Sequence, residues 1–267
     1  MLQLSGAVAP YGPTLVKAGL ATFEDIWQLP RNWVEPPNLR RRGWSGASRL
    51  TLAGERPLPL FVKWQENYCY RSLAHPLRGR PTFHREWRNI ALLRAAGIPT
   101  VDPVYYGERR VQGRYQAVLL TIALDQHQEL DTLFAGPVDQ RLRERVLVEV
   151  GDLVRRLHEA GFQHNCLGGN HIMVRHDPAG VDLRLLDLEK LKRMYRRAPA
   201  AARELARLVR HTPTLQVEDH LRVLGSYMRD WPRQRRIDFV NRVNAHLVRK
   251  HQHQKRMPLT RLLPAPL

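Results

Sequence analysis

The sequence predicts an α+β fold in two lobes, a small and mostly antiparallel β lobe with one helix followed by a larger helical lobe. Three observations lead there. Apolar strand-like runs cluster between residues 43 and 124 around a single helical stretch. Residues 141–159, RLRERVLVEVGDLVRRLHE, repeat Leu142, Val146, Val150, Leu153 and Leu157 at helical spacing. Three further helical segments come after residue 190. The expected division is an N-terminal extension over 1–40, a β lobe over 41–124, a helical lobe over 125–250 and a basic tail over 251–267.

A chain of 267 residues with 43% hydrophobic content is long enough for one large domain or two lobes with cores of their own. No apolar run approaches the roughly 18–20 residues of a membrane span, and MLQLSGAVAP lacks the basic start and apolar core of a signal peptide. The two cysteines, Cys69 and Cys166, stand far apart and fit free thiols in a reducing cytoplasm. The net charge of +18 points to an anionic partner. It is concentrated late: from Leu191 onward there are 18 Lys/Arg against 5 Asp/Glu.

Taken in order, residues 1–40 mix Pro, Trp and charge, with one helical candidate around Leu15–Trp27. In RRGWSGASRLTLAG, Gly43 and Gly46 bracket a turn and Ser48–Leu52 continues as a strand, a Gly-containing β-turn-β whose backbone N–H groups can approach a phosphate. Leu58–Gln65 is a strand with Lys63 among apolar neighbours. Residues Asn67–Arg80 read as basic and irregular. Thr82–Ala96 is a helix with Trp87, Ile90 and Leu93 on one stripe, ended by Gly97. Glu86 falls one turn before Ile90, beside the buried stripe, where a carboxylate wants a cation, and Lys63 is the candidate. IPTVDPVYYGERR and YQAVLLTIAL give two more strands, and Ala123–Gln128 is a natural hinge.

The helix over 141–159 runs into GFQHNCLGGNHIMVRHDPAGVDLRLLDLEK, residues 161–190. This stretch reads as a polar loop, a strand at His171–Val174, a hairpin, and a second strand, Leu183–Leu188, that ends on Asp187. It brings His164, Asn165, His171 and a carboxylate to one strand edge, as a phosphate-and-metal site would. Helices are expected at Ala200–Arg210, Glu218–Trp231 and Ile237–His251, with a loosely ordered tail after them.

This order of elements resembles the protein-kinase fold. More narrowly, REWRNIALLRAAGIPTVDPVYYGE and RLHEAGFQHNCLGGNHIMV…LRLLDLEKLKR resemble the lipopolysaccharide kinase family of the Kdo/WaaP type with its InaA-like relatives, over about residues 40–230. The resemblance implies ATP and Mg²⁺ as cofactors. It makes Lys63 the lysine that holds the α- and β-phosphates and Glu86 the glutamate that orients it. Gly43 and Gly46 would cover the phosphates, and Leu119–Ala123, with Thr121 and Ala123, would meet the adenine through backbone groups. Asp187 would bind the metal, with His171 as a second ligand where ordinary protein kinases carry Asn.

One position departs from the pattern. The catalytic loop of kinases reads His-x-Asp, and its Asp accepts the proton of the acceptor hydroxyl. Here the loop reads His164-Asn165-Cys166, as in InaA-like sequences. A protonated thiol, with an ordinary pKa near ~8.5, accepts no proton. His164 or a substrate group would then have to substitute.

Two functions follow from the resemblance. The first is an ATP-dependent kinase that phosphorylates a sugar of the lipopolysaccharide core, an anionic glycolipid, from the cytoplasm with peripheral contact to the inner membrane. The second is a pseudokinase of the same fold, favoured by Cys166. Nucleic-acid binding rests on charge alone, without interleaved aromatics or a known module.

Overall fold

The computed structural model describes residues 4–40, 42–72, 75–195, 197–254 and 263–264. The chain forms two compact units: residues 1–92 with 101–125, and residues 93–100 with 126–267. Among the described residues every pairing between its named strands is antiparallel, and there are eight α-helices.

The first unit begins with β1 (Leu4–Ala7), α1 (Gly12–Lys17), α2 (Phe23–Trp27), β2 (Asn38–Arg40), β3 (Gly43–Leu52) and β4 (Leu58–Glu66). It continues with β5 (Cys69–Ser72), β6 (His75–Pro81), α3 (Thr82–Ala95), β7 (Pro103–Val111) and β8 (Arg114–Ile122). The last residues of α3 group with the second unit. Six strands form one sheet in the order β1-β7-β8-β4-β3-β2.

Residues 1–40, expected as an extension, are part of this unit's core. β1 pairs with β7, and Leu15, Phe23 and Ile26 are buried against Leu60, Val62 and Trp64 of β4. Trp64 Nε1 donates to the Ile26 carbonyl at 3.0 Å, which satisfies the one polar atom of a buried indole. The single helix expected over Leu15–Trp27 is two. Gly19, at φ +72°, takes the chain out of α1, and Thr22 opens α2 with a capping box shared with Asp25. The basic segment read as irregular is the hairpin β5/β6, with Tyr70 opposite Arg80. Its charged residues hide the two-residue period that marks a strand.

The second unit holds β9 (Gln128–Glu129), α4 (Leu130–Ala135), α5 (Gln140–Glu159), β10 (Phe162–Gln163), β11 (Ile172–Asp177) and β12 (Gly180–Leu185). After these come β13 (Lys192–Arg193), α6 (Arg197–Arg210), α7 (Val217–Tyr227) and α8 (Arg233–Gln254). Helix α5 buries Val146, Val150, Leu153 and Leu157, the stripe read from the sequence, against α7. Gly151 permits the close approach: a Cβ there would lie 2.4 Å from the Val223 carbonyl oxygen. At the far end Tyr227, Trp231 and Phe239 interlock through ring contacts at 5.1–5.7 Å. Among the described residues no helix is long and apolar enough to cross a membrane. Most of the tail expected after residue 251 lies outside the described residues. Leu263 is held by Asn244, whose amide bonds both its N–H and its C=O.

Candidate active site

In the first unit Lys63 lies on β4 between Ala47 of β3 and Leu119 of β8. Its Nζ donates to Glu86 Oε1 at 2.6 Å. The Glu86 side chain is only 6% exposed, so its carboxylate requires a cation, while Lys63 remains 26% exposed. Gln65, two residues along the same face, fixes the helix that carries Glu86. Its side-chain oxygen accepts from Thr82 Oγ1 at 2.9 Å and from the Phe83 N–H at 3.3 Å. Strand and helix are thus tied at two adjacent points, and the ammonium group is held in place.

The glycines read as a phosphate-covering turn are placed differently. Residues 43–52 are one continuous strand, and the turn falls earlier, with Arg42 in the left-handed region at φ 62°. A Cβ on Gly43 would meet the Glu66 carbonyl at 2.1 Å, and one on Gly46 would meet the Trp33 ring at 2.6 Å. Both glycines serve close packing. Thr121 is buried in β8 between Phe61 and Pro103, and the Ala123 N–H donates to the Pro59 carbonyl at 2.9 Å. The Ala123 N–H is thus taken up by β4.

In the second unit the loop 164–171 is clamped from below. Glu204 of α6, buried to 2% exposure, accepts the His164 N–H at 2.8 Å, the Asn165 N–H, and the ring of His158 at 3.0 Å. Burial opposes its ionisation, but these hydrogen bonds and the neighbouring imidazoles of His158 and His164 outweigh it and hold the carboxyl below the usual carboxylate range. His158 of α5 also bonds the Tyr227 hydroxyl at 2.9 Å, so α5, α6 and α7 meet at the root of the loop. Asn165 can then take its left-handed backbone, φ 63°. Farther on, the Gly169 N–H donates to the His211 carbonyl at 3.0 Å, and Gly169 packs so tightly on Asp131 that a Cβ would lie 2.5 Å from its carboxylate.

The upper face of the loop carries the chemistry. β12 ends at Leu185, three residues short of the Leu188 read from the sequence, and Asp187 adopts left-handed backbone at φ 51° before a 3₁₀ turn over Leu188–Lys190. His171 Nδ1 must carry a hydrogen, because it lies 2.7 Å from the Cys166 carbonyl, which can only accept. That turns Nε2 toward Asp187 Oδ2 at 3.5 Å. Cys166 Sγ, His171 and Asp187 each place one ligand atom within 4.8 Å of the others, and Lys190 Nζ lies 3.5 Å from the sulfur. A carboxylate oxygen beside an imidazole lone pair fits a divalent cation.

His164 is different. Its side chain is fully buried, its Nε2 donates to the Leu186 carbonyl at 2.6 Å, and burial pushes its imidazole below the usual histidine range. A general base must come within hydrogen-bond reach of the proton it takes. This ring reaches only the protein, so it positions the segment ahead of Asp187 and does not replace a base. Its ring stacks on that of His171 at 5.6 Å.

Residues 24–227 match the family model described as "Lipopolysaccharide kinase (Kdo/WaaP) family". The chain belongs to this family. It is 29% identical over 217 residues to the protein InaA of Escherichia coli (strain K12), covering 79% of this chain and 98% of InaA. It is 28% identical over 109 residues to a 3-deoxy-D-manno-octulosonic acid kinase of Haemophilus influenzae, covering 39% of this chain and 43% of that enzyme. The match takes in every one of Lys63, Glu86, His164, Cys166, His171, Asp187 and Glu204. Glu204 and His158 were not singled out from the sequence. The available signal was an acid between Ala200 and Leu208 at helical spacing, and a histidine next to Leu157, each a polar group on a buried face.

Proposed function

We propose that this chain is an ATP-dependent kinase that phosphorylates a sugar hydroxyl of the lipopolysaccharide core. In this reading the first unit is the N-lobe and the second the C-lobe of a protein-kinase-like fold. The observation that carries it is the buried-carboxylate pair Lys63–Glu86, one residue on a central strand and the other on a helix, in a chain of this family. An ammonium group on a flexible stem holds phosphate oxygens well only when something fixes it, and Glu86 does so.

Asp187 and His171 would hold Mg²⁺, which when bound neutralises phosphate charge. Glu204 fixes the start of the loop that presents His171. Cys166 stands where a base is expected. Phosphoryl transfer relies mainly on positioning and charge stabilisation, so a missing base slows the reaction without abolishing it. The excess positive charge suits an anionic acceptor and contact with the anionic cytoplasmic leaflet of the inner membrane. The name of the Haemophilus relative makes 3-deoxy-D-manno-octulosonic acid the first acceptor to try.

The test is transfer of labelled γ-phosphate from ATP to dephosphorylated core oligosaccharide. Lys63→Arg, which keeps a cation for Glu86, and Asp187→Asn should each lower transfer by about 100-fold or more, on the scale of losing one preorganised electrostatic contact. Cys166→Asp should raise it. Unchanged transfer in both Lys63→Arg and Asp187→Asn would overturn the reading.

A further inference from the structure

We infer that Cys166, His171 and Asp187 form a site for a borderline-soft divalent cation of the zinc class, distinct in chemistry from the Mg²⁺ that the proposed function calls for. The site shares two residues with that function but requires neither nucleotide nor acceptor.

The first argument is geometric. Bonds of about 2.0–2.3 Å place two ligands of a tetrahedral ion roughly 3.3–3.8 Å apart. His171 Nε2 and Asp187 Oδ2 already stand 3.5 Å apart. All three ligand atoms lie within 4.8 Å of one another, so bringing the sulfur onto the same ion needs a shift on the order of 1 Å, within the reach of a side-chain rotation.

The second argument concerns how the ligands are held. The Cys166 carbonyl takes the Nδ1 hydrogen of His171, so the residue that supplies the thiol also turns the imidazole lone pair toward Asp187. An outer hydrogen bond of this kind is what orients a ligating histidine in built metal sites. Glu204 anchors the backbone of His164 and Asn165 directly before the cysteine.

The third argument is selectivity. Mg²⁺ takes oxygen ligands and keeps much of its water, so it would rest chiefly on Asp187 and gain little from the Cys166 thiolate. A sulfur, nitrogen and oxygen set of three favours Zn²⁺ or Co²⁺, and three protein ligands leave a fourth position open. The Lys190 ammonium group, 3.5 Å from the sulfur, opposes a cation, but its side chain is exposed on a flexible stem and can turn away as the thiol loses its proton to solvent. An ion seated here occupies the carboxylate that Mg²⁺ would use, so zinc is expected to act as an inhibitor of the proposed phosphotransfer.

The probe is Co²⁺ titrated into the reduced full chain without nucleotide, followed by the thiolate-to-cobalt charge-transfer band and by competition with Zn²⁺. The band should appear at one equivalent and persist in Cys69→Ser. Removing even an outer partner of a metal ligand costs about 10–100-fold in affinity. Cys166→Ser should therefore abolish the band, and His171→Ala and Asp187→Asn should each weaken binding by at least that factor. Circular dichroism of each variant without metal checks that it remains folded. No band in the parent chain, a band that survives Cys166→Ser, or one that depends on the thiol but not on His171 and Asp187, would overturn the inference. Because the readout is spectroscopic and free of nucleotide, its failure leaves the kinase reading standing. Loss of transfer in Lys63→Arg bears on that reading alone.

Discussion

At the scale of single residues, Glu204 is the group on which the loop depends. One buried carboxylate accepts two backbone N–H groups and a histidine ring. Removing one member of a buried ionic network costs about 3–5 kcal/mol, because the others are left uncompensated. Glu204→Ala should therefore lose about that much in urea denaturation at neutral pH. A loss below about 1 kcal/mol, the worth of one ordinary hydrogen bond, would show that the network is not what holds the loop. Cys166, His171 and Asp187 sit above this support. Their side chains are only part-buried, which suits groups that must meet a ligand.

At the scale of elements, the contact between α5 and α7 sets the frame for that loop, since α5 delivers the chain into it. Gly151 makes the contact possible. Ala in place of a helix-interior Gly normally gains about 1 kcal/mol. Here the new Cβ would meet the backbone oxygen of Val223 at 2.4 Å, which no side-chain rotation relieves. Forcing packed elements apart costs typically about 1–3 kcal/mol, so the clash outweighs the propensity gain. Gly151→Ala should lower the melting temperature, and a rise would refute this account of the interface. The same reasoning explains Gly43 and Gly46. In sequence they resemble a phosphate turn, but in the fold they make room for the Glu66 carbonyl and the Trp33 ring.

At the scale of the whole molecule, charge and buried histidines set the response to acid. Burial is the main cause that lowers His84, His127, His164, His211 and His246, with His84 held down to about 4. Once unfolded, each takes up a proton near pH ~6.5. Between that value and the folded pKa the unfolded chain binds more protons, so stability falls as pH drops through this window. The net charge of +18 acts in the same direction, since each added proton adds repulsion. The denaturation midpoint should fall from pH 7 to pH 5. His84→Gln, which removes one titrating ring beside Arg80 and Tyr70, should make the fall shallower. An unchanged slope in that variant would rule out His84 as a contributor. Below about pH 4.5 the carboxylates held low by their partners, Asp152, Asp182, Glu204 and Asp219 among them, add to the loss as they protonate.

Sequence alone determined what depends on local pattern. The stripe Leu142–Leu157 predicted α5, an apolar strand with one lysine predicted β4, and an acid beside a buried stripe predicted that Glu86 seeks a cation. These are readable because burial repeats every 3.6 or 2 residues and a buried charge needs a partner. Strand Leu183–Leu188 was read three residues too long, because a left-handed aspartate leaves no mark on hydrophobic periodicity. Tertiary structure alone decided the rest: the joining of residues 1–40 to the first core, the convergence of His158 and Glu204 beneath the loop, and the meeting of Cys166, His171 and Asp187 above it. The contact from His158 to Glu204 spans 46 residues and that from His164 to Leu186 spans 22, distances over which no local period carries information. Such contacts exist only once helices and strands have packed, and at this site packing is what turns scattered polar residues into ligands with a common focus.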